Sequence, residues 1–173
     1  MLNQREEMIV KLNHMKGSEF AASLIKQYSR KGALSDKQWW WVEKLTNPDK
    51  DATPVNAGPI IDLLQYAKVK RPVFRAEGLQ FSLAPSHGRN AGAVYVKAQG
   101  EYQGKIMGGT FKPASDCYDD TGAKVAKIAK DPRGAAVQYG RDTGICACCG
   151  RTLTDPKSIE LGIGPICADT WGL

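Results

Sequence analysis

The chain has 173 residues, 42% of them hydrophobic and 8% aromatic, which supports a real core and argues against wholesale disorder. No apolar run approaches the ~18 residues that span a bilayer, and the polar stretch from Met1 to Val10 lacks the apolar segment of a signal peptide. An intracellular setting with reduced thiols and no membrane partner is therefore expected, so disulfides do not account for the cysteines.

The formal charge of +6 is unevenly spread: residues 61–113 carry eight Lys/Arg against three Asp/Glu, while both flanks are close to balance. Such a block is an electrostatic footprint for phosphate backbones or another acidic surface, or else simply a solvated basic face.

In chain order, "SEFAASLIKQYSR" places Phe20, Leu24, Ile25 and Tyr28 at helical spacing, with Ser18 as N-cap and Gly32 as the stop. Ser35 caps a second helix to about Leu45, giving a helical hairpin over residues 1–50. Within it, Trp39, Trp40 and Trp41 are consecutive, and successive helical residues turn by about 100°, so the three indoles cannot share one core. One or two pack inward and the remainder forms a surface for a partner or for base stacking.

The Pro-, Asn- and Asp-rich stretch from Thr46 to Pro59 reads as a linker centred on residues 51–58, and a short helix "IIDLLQYA" follows. From Val69 to Phe111 the period becomes two, and "VKRPVFRA", "LQFSLA", "AVYVKA" and "YQGKIMGGTF" read as a four-stranded antiparallel meander with Pro72 on an edge strand. Next come a helix "GAKVAKIAK" and a second one, "PRGAAVQY", started by Asp131-Pro132 and ended by Gly140. The fold expected is α+β: the hairpin, a basic sheet with helices over 59–140, and a small cysteine-bearing module over 141–173.

That module holds four of the five cysteines. Cys146 and Cys149 form a C-x2-C pair followed by Gly150, the geometry that lets two thiolates converge on one metal. Cys167 follows with seventeen residues between, a zinc-ribbon spacing. "TDPKSIELG" is a capped helical turn, and "GIGP" brings Cys167 to the start of a last helix. Structural zinc is the expected cofactor; buried apolar cysteines or a redox pair are the alternatives. Thr170 stands where a four-cysteine ribbon has its fourth ligand. Cys117, Cys148 and Asp169 are the substitutes in that order, followed by His14 and His87.

The stretch from Tyr139 to Leu173, with its C-x-x-C-G-R-x-L-T and G-[IY]-G-P-x-C-A patterns, resembles a small C-terminal module of many phage-encoded proteins. The segment from Glu19 to Leu45 resembles a helical piece that accompanies it. The resemblance implies a phage origin, a nucleic-acid setting in the cytoplasm of an infected bacterial host, and constant thiols at Cys146, Cys149 and Cys167. It makes Cys148 a variable position, and it implies no reaction.

Single-stranded nucleic acid is held by a positive groove with aromatic platforms. On the meander's outer face Tyr95, Lys97, Tyr102 and Lys105 fit that description, and Lys68, Lys70, Arg71 and Arg75 lie on the first strand and its approach. Lys124, Lys127, Arg133, Arg141 and Arg151 extend the track toward the cysteine module. A phosphate-binding loop, a nucleophile elbow and a zinc-protease helix are all missing from the sequence, and "SDCYDD" reads as an acidic loop. The expected function is non-catalytic binding of nucleic acid, single-stranded DNA favoured. The alternative is a protein that binds and inhibits or redirects a host polymerase, nuclease or defence complex. An oligomer remains open.

Overall fold

Caps and core residues divide the chain into two units, Met1–Asp51 and Ala52–Leu173. The computed structural model describes residues 3–15, 17–47 and 51–173. Helices and antiparallel strands occupy separate stretches of sequence, so the class is α+β, as expected.

Among its described residues the first unit holds three helices, α1 (Gln4–Asn13), α2 (Glu19–Lys31) and α3 (Asp36–Thr46). Ser18 and Ser35 cap α2 and α3 as anticipated, and Gly32 ends α2 in the left-handed conformation, at φ 69°. The hairpin reading missed α1. Its signal is a capping box at the polar end, in which the Asn3 side chain accepts from the Glu6 N–H and the Glu6 carboxylate from the Asn3 N–H. Met8, Leu12, Ala21, Leu24, Leu34 and Val42 form the buried cluster of this unit. Trp39 packs half-buried against it, edge-on to Tyr28 at 5.8 Å, while Trp40 and Trp41 remain 38% and 41% exposed. Two of the three indoles thus face outward.

The second unit runs β1 (Thr53–Pro54), α4 (Gly58–Tyr66), β2 (Val73–Ala76), β3 (Leu79–Leu83), β4 (Val94–Ala98), β5 (Glu101–Met107) and β6 (Thr110–Pro113), then α5 (Thr121–Lys130), α6 (Pro132–Thr143), α7 (Pro156–Leu161) and α8 (Pro165–Trp171). The strands form one antiparallel sheet in the order β1-β6-β5-β4-β3-β2. The four-stranded reading is therefore corrected to six. Gly108 and Gly109, at φ 60° and 77°, form a tight turn that divides the fourth segment into β5 and β6. The sixth strand comes from the presumed linker, where Thr53 and Pro54 pair with Phe111 and Thr110; residues 48–50 of that linker lie outside the described residues. β2, which follows Pro72, is indeed an edge strand.

One face of the sheet is covered by helices, with Ile60, Leu63 and Leu64 of α4 and Val125 and Ile128 of α5 in the same core as Phe74, Phe81, Val96, Ile106 and Phe111. Phe74 and Phe81 stack there at 4.9 Å. A bulge on β5 buries Gln103, whose side-chain oxygen accepts the Tyr118 N–H at 2.8 Å and ties down the "SDCYDD" loop.

Gly140 does not end α6, which continues to Thr143 and stops at Gly144, at φ 67°. Gly140 is glycine because any Cβ there would collide with the Gly162 carbonyl. That contact seats the end of α7 against α6.

Candidate metal centre

The cysteine module begins where α6 ends. Leu153 donates its N–H to the Gly144 carbonyl at 2.8 Å and Cys146 donates to Arg151 at 2.9 Å, with Ile145 bridging Thr152, so the chain folds back on itself around the C-x2-C pair. The Gly150 N–H donates to the Cys146 carbonyl at 2.9 Å, and Gly150 itself takes φ 73°, the left-handed geometry this turn requires. Asp155 caps α7 with Pro156 in the first turn and Gly162 as the stop. Gly164 and Pro165 then start α8, which carries Cys167 in its first turn.

These elements bring Cys146, Cys149 and Cys167 together, with their sulfurs all within 4.8 Å of one another. A tetrahedral ion with metal–sulfur bonds of about 2.3 Å needs sulfurs about 3.8 Å apart, so a small contraction suffices. Three thiols are a soft donor set, and the group can hold a metal ion. The Cys146 thiol is pushed well below its ordinary value, first by the hydrogen bond from the Cys148 thiol and further by the backbone N–H groups of Cys149, Gly164 and Cys148. Burial pushes Cys167 up, helped by the negative charge of Cys146.

Of the substitutes considered for a fourth ligand, none joins the cluster. Cys117 sits half-buried on the loop before α5, its sulfur 3.5 Å from the Tyr118 carbonyl, and so is withdrawn as a ligand. His14 bonds its own helix at the Val10 carbonyl at 2.7 Å. Cys148 is buried beside the group and bonds the Cys146 sulfur, which raises its own pKa. It acts on a ligand sulfur and is not one of the three convergent thiols.

Arg75 has a role the sequence reading did not assign. Its backbone N–H donates to the Ala147 carbonyl at 3.0 Å, and its guanidinium reaches the Ala147 and Cys148 carbonyls at 3.2 and 3.4 Å. The cysteine turn is thereby stitched to β2. On the other side the three thiols line a cavity of about 430 Å³ shared with Arg151, Thr152, Thr154, Asp155 and Ile166.

The remaining cations expected on a track are mostly engaged. Lys124 pairs with Asp120 at 2.6 Å and Lys127 with Glu77 at 2.5 Å. Arg133 donates to the Trp171 and Gly172 carbonyls and lies over the Tyr66 ring at 5.5 Å. Arg141 donates to the Glu160 carbonyl at 2.9 Å. Arg151 is exposed at the cavity, and Lys68, Lys70 and Arg71 are exposed between α4 and β2. Four of the expected cations thus have partners within the chain.

On the sheet, register places Tyr95 opposite Lys105, and Lys97 opposite Tyr102, on the face away from the core. The two tyrosine rings meet edge-to-face at 6.0 Å. Asn90 donates to the Tyr95 hydroxyl at 3.1 Å and accepts from Lys105 at 2.6 Å, which holds Tyr95 and Lys105 together.

Residues 136–172 match DUF6011, a family of unknown function. The matched segment takes in most of α6, all three convergent cysteines and both partners of the Gly140–Gly162 contact. No curated protein and no solved structure matches the chain. Among the described residues, no helix is long and apolar enough to cross a membrane.

Proposed function

We propose that this chain is a non-catalytic nucleic-acid-binding protein that favours single-stranded DNA and serves phage replication, recombination or transcription in an infected bacterium. The reading is carried by the outer face of the sheet. Its strand positions, from Arg75 through Gln80, Ser82, Tyr95, Lys97, Tyr102, Lys105 and Met107 to Thr110 and Lys112, include four cations and no carboxylate. Tyr102 is 45% exposed at its centre. Bases stack on such rings while lysines neutralise the phosphates on either side. The exposed Lys68, Lys70 and Arg71 add charge at one end. Zinc, held by Cys146, Cys149 and Cys167, has a structural part, tying the cysteine turn to the start of α8.

The test is fluorescence anisotropy of labelled single- and double-stranded oligonucleotides at ~50 mM salt. Binding with a steep salt dependence is expected, and each of Lys97→Ala and Lys105→Ala lowers the salt slope by about one phosphate. Tyr102→Ala weakens single-strand binding by about 1–3 kcal/mol. An unchanged anisotropy with every DNA and RNA probe overturns the reading.

A second reading, a phage factor that binds a host protein, draws on the first unit. Phe20, 48% exposed, meets Trp41 edge-on at 5.6 Å, and Trp41 meets Trp40 at 4.8 Å, giving a contiguous aromatic surface. That reading expects a purified partner complex that survives high salt and is lost in a Trp40→Ala, Trp41→Ala double variant.

A further inference from the structure

A metal held by Cys146, Cys149 and Cys167 has three protein ligands, and where its fourth valence points decides what the site can do. All three thiols line the same cavity of about 430 Å³. A metal held by them would border this cavity, which is the open space within reach of a further ligand. Metal sites that are closed by the protein carry four ligands, and sites with three keep a position for exchange.

The one nearby thiol able to close the site is Cys148, and the hold on its backbone keeps it out. Its carbonyl, with that of Ala147, is held by the Arg75 guanidinium at 3.4 and 3.2 Å, which fixes the turn that would have to swing. Cys148 is also absent from the cavity wall, on which the other three are found.

We infer that Cys146, Cys149 and Cys167 form an open three-thiolate site whose fourth coordination position, facing the cavity, takes a neutral heteroaromatic nitrogen donor from a small molecule, while Cys148 does not bind the metal. The donor class follows from charge. Three thiolates on a divalent ion leave a net charge of −1, and a fourth anion would add to it beside Asp155 with Arg151 as the one cation on the wall. A neutral ring nitrogen adds none. Leu153, Pro165 and Ile166 supply apolar surface for the rest of such a ring, and Ile166 is 80% exposed at the rim, available to be covered.

This inference rests on the metal reading of the thiol group, and cobalt(II) separates the two. The full-length chain is loaded with cobalt(II), whose thiolate charge-transfer absorbance scales with the number of bound thiolates and whose d–d bands report the fourth donor. The expected result is one cobalt per chain with intensity for three thiolates, and d–d bands that shift saturably on titration with imidazole. Cys148→Ser retains the same spectrum with metal affinity within about tenfold, whereas Cys167→Ser changes the bands. Intensity for four thiolates, reduced by one in Cys148→Ser and indifferent to imidazole in the unsubstituted protein, overturns the open site. Absence of cobalt uptake overturns the metal reading and this inference with it.

Discussion

The two units of this chain solve the same problem at different scale. Ala52–Leu173 gathers a core from the three helices α4, α5 and α6, a six-stranded sheet and the cysteine module, with Phe74, Phe81 and Phe111 fully buried. Among its described residues, Met1–Asp51 has one cluster of six buried residues, no fully buried aromatic, and two exposed indoles. Small units bury a smaller fraction of their surface and sit closer to the unfolding threshold. Local devices therefore weigh more in the smaller one, and it carries capping boxes at both α1 and α3. The lesson is that the same side-chain truncation should have unequal consequences in the two places.

The largest expected effect is on the larger unit. Gly140→Val drives a branched side chain into the Gly162 carbonyl and should cost more than about 4 kcal/mol, parting α6 from α7. Urea denaturation followed by near-ultraviolet circular dichroism checks it. A change below about 1 kcal/mol would show that the α6–α7 contact is slack. Leu24→Ala should cost about 2–5 kcal/mol in the smaller unit. A folded stretch of that length has only about 2.5–8 kcal/mol to lose, so its helical signal should melt away while the sheet persists. A single shared transition would break the comparison. Ser35→Ala removes the α3 cap and should cost about 1 kcal/mol, again read in the helical transition alone.

The smallest effect is one of pH. Burial, with a lesser push from Tyr95, raises the Tyr102 phenol above its ordinary value. A raised acid is favoured neutral in the folded state, so its contribution is present below the unfolded value of roughly 10 and is lost as pH rises through the folded one. Absorbance titration of the parent against Tyr102→Phe should reveal one late-ionising phenol. A difference spectrum that titrates at the ordinary value rejects this.

Much of this architecture is written locally. Ser18, Ser35, Asp131-Pro132 and Asp155-Pro156 mark helix starts through side-chain bonds that span three residues, and they can be read without knowing the fold. The alternation in "LQFSL" and "VYVKA" is equally local, because one face of those strands is buried. What escaped reading depends on contacts distant in sequence. Thr53 and Pro54 become a strand because β6 is there to pair with. Gly140 looks like a helix terminator, and only the approach of Gly162 explains it. Arg75, Arg133 and Arg141 count as basic charge in composition, yet each donates to carbonyls far along the chain. The cysteine spacing specified three convergent thiols, since loop geometry is local. It ranked Cys148 as a substitute fourth ligand, whereas the turn held by Arg75 leaves that thiol outside the convergent three.

The bond from the Arg75 N–H to the Ala147 carbonyl has a consequence for the colloidal behaviour of the protein. β2 is a terminal strand, and a terminal strand with free backbone groups is a template for pairing with a second chain. The cysteine turn lies along it as a cover. Loosening that turn would expose a sticky border before it cost the sheet any of its own bonds. The first sign of a failing thiol site should then be light scattering from chains that add to one another, while each sheet remains intact.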